Sequence, residues 1–214
     1  NQFVLKNHQE DLHLLILITL LTLFFYFFLI PEEGFGSALL AITSSVSTSG
    51  ISTNTSYNDL SLFLILLTVI GGSLISTSSG FKYVRFYILL KTSHHEIYRL
   101  VKPINIFDKN LFNTEIKIDD NDVKVAFLVF ISFIVLLFIL SSILSLDIIS
   151  FENSFKLSIL TLTNTVTSSI YGLDNLFFFD LNNFTKLSLI VFMILGKIEI
   201  IAVLYLIKRL IFRE

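Results

Sequence analysis

Apolar residues fall in long blocks along this chain of 214 residues. Four charge-poor blocks, 12–31, 60–81, 125–146 and 187–207, have the length to cross or nearly cross a bilayer, the last interrupted by Lys197 and Glu199. Between the first and second, residues 34–58 stay uncharged but turn to hydroxyls, Ile42-Thr-Ser-Ser-Val-Ser-Thr-Ser-Gly-Ile51. Between the third and fourth, residues 157–173 do the same, centred on Leu160-Thr-Leu-Thr-Asn-Thr-Val-Thr-Ser-Ser169. Lipid-exposed irregular backbone is forbidden, so a short apolar stretch running into Ser, Thr and Gly is tolerated only where it lines a water-filled path. The pattern predicts re-entrant loops fed by half-helices over roughly 37–45 and 155–162.

Span, half-span, polar loop and span thus occur twice, which predicts an all-α integral membrane protein of two repeats. Residues 1–102 form the first, 103–124 a connector and 125–214 the second. Placing Ser47–Ile51 over Thr163–Thr167 matches polar with polar at three positions and sets Gly50 opposite Val166, while a register slid by three residues pairs Gly50 with Ser169. The sequence leaves both registers open.

Composition changes the picture only by strengthening it: 54% hydrophobic residues, mean hydropathy +0.81 and 15% charged residues, against about 25% in soluble domains. Zero cysteines exclude disulfides and thiolate chemistry. The chain opens on Asn1 without a leader and cleavage site, so a preceding segment is expected. Lysine and arginine set the orientation. The segment 82–124 carries eight, Lys82, Arg85, Lys91, Arg99, Lys102, Lys109, Lys117 and Lys124, and the C-terminus adds Lys208, Arg209 and Arg213. Residues 31–59 have none, and 147–186 only Lys156 and Lys186. The connector and both termini are therefore expected in the cytoplasm, with both loops entering from outside and the repeats parallel about an axis along the membrane normal.

Such loops suit cations. Backbone carbonyls aimed at an axis replace an ion's hydration shell, with hydroxyls as supplements, and glycine permits the backbone angles this needs. A half-helix whose C-terminal end points into the membrane adds a negative field. The expected filter residues are Ser47, Thr48, Ser49 and Gly50 in the first loop and Thr163, Asn164, Thr165 and Val166 in the second. The competing reading is that the hydroxyls merely bond carbonyls one helical turn back.

Ser47-Thr-Ser-Gly-Ile-Ser-Thr53, Ile70-Gly-Gly72 and Ser76-Thr-Ser-Ser-Gly-Phe-Lys82 with Arg85 resemble the third repeat of the Trk/Ktr/HKT superfamily of potassium and sodium transporters. Phe192-Met-Ile-Leu-Gly-Lys-Ile-Glu199 is similar to the close of its fourth repeat, Met-Leu-Leu-Gly-Arg-Leu-Glu. The resemblance covers about residues 12–213 and implies a potassium-channel-like plan of membrane–pore loop–membrane repeats, of which this chain holds the last two of four. It implies translocation of K+, or of Na+, across the cell inner membrane by a multi-pass pore-forming subunit. It also implies an N-terminal half, a homodimer and a cytoplasmic nucleotide-binding regulatory subunit as partners. Membrane lipid surrounds the chain, no nucleic acid is expected, and no cofactor is bound beyond the transported K+.

Three departures stand out: Val166 replaces the filter glycine, Ile75 and Ser79 stand where the family has glycine, and Lys197 replaces the last helix's arginine. The resemblance makes Gly71, Gly72, Ser76, Thr77, Ser78, Ser79 and Gly80 an intramembrane gate loop, although three glycines and five hydroxyls at this depth would also suit close helix packing. Lys82 either holds that loop or marks the membrane edge.

Charges at the bilayer centre are costly, so Lys197 and Glu199 are expected to face the interior, Lys197 on the ion path and Glu199 in an anchoring hydrogen bond. His94-His-Glu96 is too adjacent for metal convergence. The connector's mixed charges predict a solvated cytoplasmic face. No nucleotide loop or carboxylate pair suggests an enzyme. The alternatives are a non-conducting scaffold subunit and a two-repeat channel that dimerises.

Overall fold

The structure, a computed structural model, describes residues 9–29, 34–51, 60–73, 76, 78–101, 110–112, 118–147, 149–167, 169–173 and 181–197. Helix α1, Gln9–Phe24, continues as a π-helical turn, Phe25–Leu29. Half-helix α2 is Phe35–Val46 and helix α3 is Ser61–Val69, followed by two-residue strands β1, Ile70–Gly71, and β2, Phe81–Lys82. Helices α4, Tyr83–Val101, α5, Asp120–Ser145, α6, Phe151–Leu162, and α7, Asn183–Lys197, complete the order.

Among the described residues two helices are long and apolar enough to cross a membrane, Gln9–Phe28 and Asp120–Ser145. They coincide with the first and third expected spans. The second, 60–81, is not one helix: α3 stops at Val69 because Gly71 and Gly72 follow and the hydroxyl run after them competes for backbone bonds. The chain instead bends back so that β1 and β2 pair in parallel, Ile70 with Phe81 and Gly71 with Lys82, a small exception to an all-helical plan. The fourth span is helical from Asn183 to Lys197, and its remainder lies outside the described residues.

Half-helices α2 and α6 sit at the centre, walled by α3 and α5. Ile42, Val46, Leu64, Ile65, Leu140, Leu144, Leu160 and Leu162 pack there with at most 2% exposure. Exposed apolar residues such as Leu15, Leu20, Phe138 and Ile139 lie on the outer faces of α1 and α5, as a lipid solvent requires. Among the connector's described residues, Asp119, Asp120, Asp122 and Lys124 are exposed, while an aromatic side chain is buried. Phe112, 2% exposed, stacks on Tyr87 and Tyr83 at 4.2 and 5.8 Å between ring centroids and lies 5.2 Å from His13 of α1.

Asp147, just past α5, accepts hydrogen bonds from Asn182 N (3.1 Å), Asn182 Nδ2 (2.9 Å) and Thr185 Oγ1 (2.9 Å), fixing the start of α7 with a negative charge at a helix N-terminus. Hydrogen bonds to a charged acceptor are worth about 1.5–3 kcal/mol each, and the loss is partly recovered by water at this half-buried site. Asp147→Ala should therefore lower stability by about 2 kcal/mol, with Asp147→Asn in between. Thermal unfolding in detergent measures this, and Asp147→Ala melting like the wild type would remove Asp147 as the anchor of α7.

Candidate functional site

The two hydroxyl loops begin with the same backbone geometry, 116 residues apart. The residues before α2 and α6, Gly34 and Ser150, share φ −59° with ψ 149° and 148°. Both helices end in a Schellman closure, in which the last carbonyls are taken by amides beyond a left-handed residue. Thr48 N and Ser49 N donate to Ser45 O (3.1 Å) and Ser44 O (3.0 Å), while Asn164 N and Thr165 N donate to Thr161 O (3.1 Å) and Leu160 O (2.9 Å). The left-handed residues are Thr48, φ 57°, and Asn164, φ 52°. Asparagine tolerates that region, but for β-branched Thr48 it stores about 1–3 kcal/mol of strain.

Common geometry in the unslid register places Gly50 opposite Val166. At that position the loops part: Gly50 has φ 69°, and Val166 does not adopt positive φ. A Cβ on Gly50 would strike the Val166 carbonyl oxygen and stand 2.9 Å from Val166 N, so the two loops touch backbone to backbone. Gly50 is buried, whereas Val166 is 63% exposed although its Cβ lies beside the contact. Ser169 opens a 3₁₀ turn, Ser169–Tyr171, whose fully buried Tyr171 hydroxyl meets Ser45 Oγ of α2 at 3.4 Å.

The hydroxyls make two kinds of bond. Thr43, Ser45, Ser158, Thr161 and Thr163 bond carbonyls four residues back, as helical Ser and Thr do anywhere. Past the helix ends they bond one another: Ser47 Oγ with Ser49 Oγ at 3.1 Å, Thr163 Oγ1 with Thr165 Oγ1 at 2.8 Å.

The bend 72–80 has its own polar network. Gly72 N donates to Ser78 Oγ (2.9 Å), Ser78 N to Ser76 Oγ (3.0 Å) and Ser76 Oγ to Ser78 Oγ (2.8 Å). Lys82, 8% exposed, donates through Nζ to Ser76 O (2.6 Å) and Ser78 O (2.7 Å), with Ser73 O at 3.5 Å. Lys82 therefore holds the bend. Gly80, φ 88°, brings it within reach of the second loop, since a Cβ there would lie 3.5 Å from Thr163 Cγ2. Thr77 and Glu199 lie outside the described residues.

Residues 36–211 match the model of a family described as TrkH, cation transport protein. The chain belongs to the TrkH family. Over 197 residues it is 28% identical to an uncharacterised cation transporter of Methanocaldococcus jannaschii, covering 82% of this chain and 36% of that protein. The potassium transporter TrkH from Vibrio parahaemolyticus has a similar fold, with TM-score 0.74 and 24% identity, over 90% of this chain and 42% of that one. The chain thus spans well under half the length of these relatives. The family is one of transporters rather than enzymes.

In this TrkH-family chain α7 presses on the second loop. A Cβ on Gly196 would run into the Leu162 carbonyl, with Leu162 Cα at 3.0 Å, and Asn164 Nδ2 donates to Met193 O at 2.9 Å. Lys197 is exposed, not interior as expected from its cost in lipid, but it lines a cavity of about 40 Å³ with Ser78, Ser79, Gly80, Lys82 and Arg85, next to the bend. Sequence reasoning missed Tyr171, Gly196 and Lys156. Lys156 had a readable signal: it is the sole cation of its half-helix and stands four residues after Glu152, with which it forms a 2.8 Å ion pair while itself buried.

Ser79 Oγ is buried and meets no hydrogen-bond partner among the described residues. An unpaired buried hydroxyl costs about 1–3 kcal/mol, so Ser79→Ala should stabilise the protein by about 1 kcal/mol, read as a rise of a few degrees in Tm. A fall in Tm would mean that the hydroxyl has a partner after all.

Proposed function

We propose that the chain supplies two of four quadrants around a monovalent-cation path, as the C-terminal half of the pore of a potassium uptake system in the cell inner membrane. The observation that carries this reading is the paired geometry: two buried half-helices, closed alike, release two hydroxyl loops that meet at Gly50 and Val166. Adjacent quadrants of a ring touch in this way, and a ring of carbonyls is what replaces an ion's water. On this reading residues 1–102 and 125–214 are the two repeats, 103–124 is the cytoplasmic connector, and 72–80 is the gate beneath the second loop. The eight lysines and arginines of 82–124 favour a cytoplasmic placement for the connector, and those of the C-terminus for the termini. The missing quadrants, a second copy of the chain and a cytoplasmic regulatory subunit are the partners, and K+ is the transported ion. The Vibrio parahaemolyticus protein of similar fold is a potassium transporter, which favours K+ on this reading.

Gly50 carries the conformation that a side chain resists, so Gly50→Val should reduce rubidium uptake to background with the protein still folded and inserted. Val166→Gly should raise the K+ to Na+ flux ratio severalfold, because it permits the second loop the angles of the first. Uptake in cells lacking their own potassium systems measures both, and ratios unchanged in both variants would place the filter elsewhere.

Lys197 beside the gate places a fixed positive charge near a passing cation, and such charges repel strongly where water is scarce. Lys197→Gln should increase the uptake rate severalfold and Lys197→Arg should leave it near wild type. A well-expressed Gln variant no faster than wild type would take Lys197 off the path.

A further inference from the structure

We propose that the carbonyls of Ser73, Ser76 and Ser78 form a monovalent-cation site, occupied here by the chain's own Lys82 ammonium. The carbonyl oxygens of Ser73, Ser76 and Ser78 converge on a single point, Lys82 Nζ, at 3.5, 2.6 and 2.7 Å. An ammonium offers three protons and no acceptor, so what it selects is a set of unprotonated oxygens around a compact positive charge. A partly dehydrated alkali cation selects the same set. The two short distances exceed the roughly 2.0–2.1 Å that magnesium takes from oxygen and lie at or just above the top of calcium's roughly 2.3–2.6 Å, and the oxygens carry no formal charge. Both features favour a large, singly charged ion.

Hydrogen bonds other than those of the lysine also hold the cradle. Gly72 N to Ser78 Oγ, Ser76 Oγ to Ser78 Oγ, Ser78 N to Ser76 Oγ, and Tyr83 N to Gly72 O (3.3 Å) fix the bend from within. It also opens toward the first hydroxyl loop: Gly72, Ser73 and Ser76 line one cavity, of about 770 Å³, together with Ser47 and Ser49. An ion that enters displaces a charge of its own sign and size, so the exchange leaves the local charge unchanged. Lys82 is then a tethered surrogate ion whose departure the transported species drives. The identity of that species as K+ rests on the function proposed above, whereas the existence of the site rests on the carbonyl geometry.

The test is cation-dependent stability of the purified protein in detergent. Lys82→Met keeps the length of the side chain and empties the cradle. Its Tm should rise by a few degrees as KCl, RbCl or NH₄Cl replaces choline chloride at constant ionic strength, beyond any rise in the wild type. Because the chain has no cysteine, Lys82→Cys can be aminoethylated at that residue alone, and restoring the ammonium should return the response to the wild-type level. Equal responses in Lys82→Met and wild type would overturn the proposal. Should Lys82→Met fail to fold, the wild type decides: acylation of Lys82 by an amine-reactive ester, followed by mass spectrometry, should accelerate severalfold in KCl over choline chloride. A rate indifferent to potassium would overturn it. Both readouts report binding, so loss of the transport function alone would leave them unmoved.

Discussion

Every interruption of helix in this protein has to satisfy its own backbone, because lipid offers neither donors nor acceptors. That constraint explains the placement of its unusual residues. Where α2 and α6 stop short, left-handed Thr48 and Asn164 turn the following amides back onto the last carbonyls. Where α3 stops at Val69, the serines of the bend bond one another and Lys82 collects the carbonyls that remain. Where α7 begins, Asp147 takes the amide of Asn182. Each of these described breaks thus has its backbone groups bonded.

The same partners join the irregular segments into one body. Tyr171 reaches from beyond the second loop to Ser45 of α2, Asn164 reaches to α7, and Gly80 sets the bend under Thr163. Displacing α7 by a side chain at Gly196 would push directly on the carbonyl that ends α6. A shift of α7 at Gly196 therefore bears on the end of α6 through backbone contacts, which yield less than side chains do.

Much of this was legible in the sequence, for definable reasons. The half-helices read as roughly 37–45 and 155–162 are Phe35–Val46 and Phe151–Leu162, because an uncharged apolar stretch ending in hydroxyls has few other homes in a bilayer. The break inside 60–81 was signalled by Gly71 and Gly72. The left-handed turns at Thr48 and Asn164 were not legible, since attention goes to glycine and the turn falls two residues before Gly50. The register resisted letters because Thr48 and Asn164 share a backbone state without sharing side-chain chemistry, and only dihedral angles reveal it. Burial of Lys82 and Lys156 was hidden for another reason: a lysine's long stem lets one residue type serve either at a surface or in a core, and the partner carbonyls or carboxylate decide which.

The contact between Gly50 and Val166 also constrains the order in which such a chain can change. Position 50 is closed twice, once by its own φ of 69° and once by its neighbour's backbone, so no single substitution there is tolerated cheaply. Position 166 is 63% exposed and already carries a branched side chain beside Gly50. Drift therefore enters through the second loop, and a first loop without glycine becomes reachable only after the second has moved away. Of two loops with a common geometry, one is free to diverge and the other is held as the template.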